Sequence, residues 1–115
     1  MTISEALDAT LADGGGTFDA ATLEPIANGP WAVGGGIPGQ VVDLDTPLWL
    51  ALFDAVLALR DAGAVTIGTW VDEGKLYVDA VDLIVDTDEA IALAAERGEL
   101  AIYNLTTKVT LEVSR

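Results

Sequence analysis

Two β-rich segments joined by a tight turn set the strongest limit on what this chain can fold into. Residues 64–71, Ala-Val-Thr-Ile-Gly-Thr-Trp-Val, are mostly β-branched or aromatic, and residues 75–85 continue the pattern. Between them, Asp72-Glu73-Gly74 places Gly where a hairpin turn needs positive φ. The pair reads as an antiparallel hairpin, with Trp70 and Tyr77 flanking the turn as a cross-strand pair. A lone hairpin is barely stable in water, so the rest of the chain must cover it.

The covering elements are legible. Thr2 and Glu5 have capping-box spacing, and Ile3, Ala6, Leu7 and Leu11 fall on one face of a helix over residues 3–12 that Gly14-Gly15-Gly16 stops. Residues 16–45 are turn-rich, with short strands expected at Thr17-Phe18, Trp31-Ala32-Val33 and Gln40-Val41-Val42. Thr46-Pro47 predicts a helix start, Thr46 as the N-cap and Pro47 at the first position, and Gly63 its end. Thr87 predicts the N-cap of a helix ending near Arg97-Gly98, followed by strands over residues 100–104 and 109–113. The expectation is an α+β fold: one two-layer domain over residues 1–115, a mainly antiparallel sheet with helices packed on one face, most regular over 64–113.

The helix after Pro47 is too apolar for an ordinary surface helix. From Leu48 to Asp61 only Asp54, Arg60 and Asp61 are polar. Trp49, Leu52, Phe53, Val56 and Leu59 suffice for one buried stripe, and Leu48, Leu50, Ala51, Ala55, Leu57 and Ala58 spread apolar surface over the rest. Either residues 16–45 cover its far side, or it forms a homodimer interface, or it docks a partner. Trp49, Leu52, Phe53, Val56, Trp70 and Tyr77 are the candidate interface residues. For Trp70 and Tyr77, packing against a helix is the first expectation and an aromatic contact with a partner the second.

Composition removes several kinds of chemistry. With no Cys and no His, there is no disulfide, thiolate zinc site, cysteine nucleophile or Ser-His-Asp triad. Nineteen acids against five bases give a net charge of −14, which opposes direct contact with nucleic acid or an anionic membrane. Mean hydropathy of +0.44 marks a folded chain rather than an acidic tail. The start, Met1-Thr2-Ile3-Ser4-Glu5, lacks a basic region and an apolar signal core, so a cytoplasmic location is expected.

Two patterns resemble sites. Gly34-Gly35-Gly36-Ile37-Pro38-Gly39 fits the glycine spacing of a dinucleotide loop. However, Pro38 removes an N–H, no helix follows directly, and no basic residue precedes Arg60, so a turn-rich loop is expected. Asp72, Glu73, Asp79, Asp82, Asp86, Asp88 and Glu89 form a candidate acidic strip. Asp79 and Asp82 have opposite parity on their strand and should face opposite sides of the sheet. No EF-hand order is present, and neither a metal nor another cofactor is expected.

One further signal lies in the second half. The run Gly68-Thr69-Trp70-Val71-Asp72-Glu73-Gly74-Lys75-Leu76-Tyr77-Val78-Asp79, then Asp88-Glu89-Ala90, then Gly98-Glu99-Leu100-Ala101-Ile102-Tyr103-Asn104-Leu105, resembles a family of small proteins of actinobacteria, their phages and mobile elements. The resemblance covers roughly residues 64–105 and implies a phage or mobile-element accessory setting, with no chemistry to carry over. The functional expectation is a non-enzymatic protein acting by protein–protein interaction on a partner the sequence does not identify; one form is an acidic decoy that occupies the basic, nucleic-acid-binding surface of such a partner. The alternatives are a structural homo-oligomer built through residues 48–59, and a small carboxylate enzyme or metal- or ligand-binding protein.

Overall fold

The structure, a computed structural model, describes residues 2–113; Met1, Ser114 and Arg115 lie outside it. The order is α1 (Ile3–Asp13), β1 (Gly15–Asp19), β2 (Trp31–Val33), β3 (Gln40–Asp43), α2 (Leu48–Asp61), β4 (Thr66–Asp72), β5 (Lys75–Ile84), α3 (Thr87–Glu96), β6 (Ala101–Asn104) and β7 (Thr110–Glu112). The strands form one sheet ordered β1-β4-β5-β2-β6-β7, with β3 also on β5, and every pairing is antiparallel. The expected α+β class is what the chain adopts.

The hairpin is its axis. Asp72 pairs with Lys75, which leaves a two-residue loop of Glu73 (φ 48°) and Gly74 (φ 76°), both left-handed as the twist of the strands requires. β2 and β3 lie end to end along one edge of β5: Val33 pairs with Asp82 and Gln40 with Val78. Residues 34–39 loop out between them. The glycine-rich stretch is therefore a break between two strands on the same side of β5, and it opens no helix.

Alternation along β5 sorts the layers. Leu76, Val78 and Ala80 join Leu7, Leu52, Ala55, Val56, Leu59 and Ile67 in the larger core beneath α1 and α2. Ile84, of the same parity, packs with Val33, Ala90, Ala94 and Ile102 in a smaller core beneath α3. All three helices thus share one face of the sheet. A buried hydrogen bond of 2.7 Å between the Thr10 and Thr69 hydroxyls ties α1 to β4.

Helix starts needed correction. The capping box of Thr2 and Glu5 is present. For α2, however, the N-cap is Pro47 and no side chain caps it; the Thr46 hydroxyl instead donates to the Asp43 carbonyl at 2.7 Å. For α3 the N-cap is Asp86, whose carboxylate accepts from the Glu89 N–H, while Thr87 Oγ1 accepts from the Trp31 indole N–H at 2.8 Å. In each case another partner engages the threonine hydroxyl, the Asp43 carbonyl at Thr46 and the Trp31 indole at Thr87, and the neighbouring residue becomes the N-cap.

Candidate functional site

Helix α2 has two apolar faces, and only one is covered. Leu52 and Val56 are each 2% exposed and, with Ala55 and Leu59, face the sheet. Trp49 (58% exposed), Leu50, Phe53 (42%) and Leu57 face outward. Positions 49, 53 and 57 follow at intervals of four, with 50 alongside, so the four side chains form one stripe. The expectation that residues 16–45 cover this side is overturned. That segment instead places Ala20 and Leu23 in the larger core and is held by Arg60, which donates to the Ala20 and Ala21 carbonyls.

The structure thereby divides the candidate interface residues. Leu52 and Val56 belong to the core, because the buried stripe is centred on Ala55 and Leu59 and not between Trp49 and Phe53. Trp49 and Phe53 remain surface residues, joined by Leu50 and Leu57, which the sequence reading counted only as surplus apolar area. With apolar side chains nearly all round the helix, and alanines at 51, 55 and 58 alike, the sequence held no signal for the true phase.

Trp70 and Tyr77 do pair across the strands, with ring centroids 4.8 Å apart and planes 27° from parallel. They do not pack against a helix. Their neighbours Thr69, Leu76 and Val78 face the helices, so the two rings stand on the opposite, helix-free face. Trp70 is 47% exposed there.

The acids do not form one strip. Asp72 and Glu73 lie at the hairpin turn, while Asp86, Asp88 and Glu89 lie at the start of α3, beyond the other end of β5. Asp79 and Asp82 between them face opposite sides, as their parity predicts. Asp82 is bound to Arg97 at 2.8 Å, on the helix side. Arg97 also donates to the Gly34 carbonyl, which anchors the 34–39 loop.

A cavity of about 930 Å³ opens over the face of β4 and β5 away from α2 and reaches the end of α1; its lining includes Asp13, Trp70, Asp79, Val81, Glu99 and Tyr103. Glu99 was missed in the sequence because only tertiary folding brings it to β5. Burial, and then the nearby Glu99 charge, push the Asp79 carboxyl above its ordinary value. The loop glycines make room for these groups: a Cβ at Gly34 or Gly35 would meet the Glu99 carboxylate, and one at Gly39 would fall on that of Asp79. Among the described residues no three acids stand close enough to hold a metal ion.

No protein-family model matches the chain, and no curated protein and no solved structure matches it. Among the described residues no helix is long and apolar enough to cross a membrane.

Proposed function

We propose that this protein acts by binding another protein, and that the outer face of α2 is the contact. The observation that carries the reading is the stripe of Trp49, Leu50, Phe53 and Leu57, exposed on a helix whose other side already fills a core. Large contiguous apolar surface is unusual on a monomer and marks interaction sites. Trp is the side chain most enriched among residues that dominate binding energy.

Charge selects the partner's chemistry. On the helix wheel Asp54 and Asp61 lie together along one side of the stripe, Arg60 of the same helix is engaged by the Ala20 and Ala21 carbonyls, and the chain carries −14 overall. A second copy would bring the same charge, whereas an apolar surface rimmed with Lys and Arg would be attracted and oriented. The reading is therefore of a basic, amphipathic protein partner, in keeping with the accessory setting that the family resemblance implies. Acids split between the ends and faces of the molecule favour general steering over mimicry of a nucleic acid backbone.

Affinity capture from a bacterial lysate tests this, with the wild type and the Phe53→Ser variant run in parallel. The expected result is one basic protein, retained through a high-salt wash by the wild type and lost by the variant. Equal retention by both, or concentration-dependent dimerisation of the wild type in light scattering with no partner captured, would overturn it.

A further inference from the structure

We propose that the cavity over the face of β4 and β5 away from α2 binds an organic cation: a protonated amine on an apolar body of roughly aromatic size, its ammonium held between Asp79 and Glu99 and its body against Trp70 and Val81. This site is separate from the α2 stripe and does not depend on it.

The cavity itself is the first ground. At about 930 Å³ it lies within the size range of small-molecule sites. Its shape follows from the sequence. Gly68 stands opposite Asp79 on β4, so the floor between that carboxylate and Trp70 carries no side chain. The segment from Pro25 to Gly29 closes the far wall, because the Ile26 N–H donates to Thr17 of β1 and the Gly29 carbonyl accepts from the Thr106 hydroxyl beyond β6. Most of the remaining lining is apolar.

Charge within the cavity is the second ground. Among the described residues no cation pairs with Asp79 or Glu99, and no hydrogen bond reaches either carboxylate. The cations nearby are already engaged. Lys108, which lines the same cavity, donates to the Ala27 and Leu105 carbonyls, and Arg97 is held by Asp82 and the Gly34 carbonyl. The half-buried negative charge is thus left for something from outside. A hard metal ion would want several more oxygens than two side chains offer. An ammonium needs only the two carboxylates, and the Trp70 ring gives a cation or its apolar body a face to rest on.

The test is calorimetric titration of the wild-type protein with phenethylamine and with 2-phenylethanol, its uncharged counterpart of similar shape. The amine should bind saturably at millimolar concentration and about tenfold more tightly than the alcohol. Combining Asp79→Asn with Glu99→Gln should bring the amine down to the level of the alcohol. Phe53→Ser, on the other side of the molecule, should leave amine binding unchanged, so failure here is distinguishable from failure of the α2 reading. Absence of saturable amine binding, or equal affinity for amine and alcohol in the wild type, would overturn the proposal without reliance on any variant.

Discussion

Asp79 shows how one residue can be legible in part. Its side of the sheet follows from parity alone, but its discomfort does not, because Glu99 reaches it only through the fold. The consequence is a signed pH dependence. The folded state holds the Asp79 proton above the ordinary value of 3.8, so this group favours folding at low pH and opposes it as pH rises through its raised folded value. Asp79→Asn is therefore expected to melt higher than the wild type at pH 7, with the difference closing as pH falls below 3.8. Thermal unfolding at a series of pH values checks it, and a variant that melts lower at pH 7 contradicts it. Gly15 gives a second residue-scale prediction. A Cβ there would lie 2.7 Å from the Thr69 carbonyl oxygen and 3.3 Å from Trp70 Cβ, and neither can retreat without moving β4. Gly15→Ala should cost about 1–3 kcal/mol in urea unfolding.

At the scale of elements, the hairpin and helices were readable because period, caps and glycines agree locally. The hairpin turn even suggests an improvement: Glu73 sits at φ 48°, where Asn is better tolerated, so Glu73→Asn should add about 1 kcal/mol of stability in the same assay. Helix α2 marks the limit of that legibility. Its position followed from Pro47 and Gly63, but apolar side chains nearly all round leave no contrast to fix which stripe meets the sheet. Leu52 and Phe53 were indistinguishable as sequence, yet in the fold Leu52 is buried and Phe53 is exposed. Substitution separates them. Leu52→Ala should cost about 2–5 kcal/mol, as a core truncation, whereas Leu57→Ala should stay within about 0.5 kcal/mol. The cavity was less legible still, since its walls come from β1, β4, β5 and β6 together, and no local pattern announces a hollow made by an absent side chain at Gly68.

At the scale of the whole molecule, charge and shape act together. A compact chain with a net charge of −14 repels itself, and salt screens that repulsion over about 10 Å at 0.1 M. Melting temperature should therefore rise with added sodium chloride; a flat or falling dependence would mean that local ion pairs such as Asp82–Arg97 outweigh the net field. The same charge gives the exposed α2 stripe its selectivity, and this is the central claim. Its most direct test is calorimetric titration with a designed amphipathic helix of Leu and Lys, against a Leu and Glu counterpart, at several temperatures. The account predicts that the basic peptide binds with a negative heat-capacity change, that the acidic one does not bind, and that Trp49→Ser with Phe53→Ser abolishes the signal. Binding of both peptides alike, or binding of the basic peptide that survives the two substitutions, would contradict it.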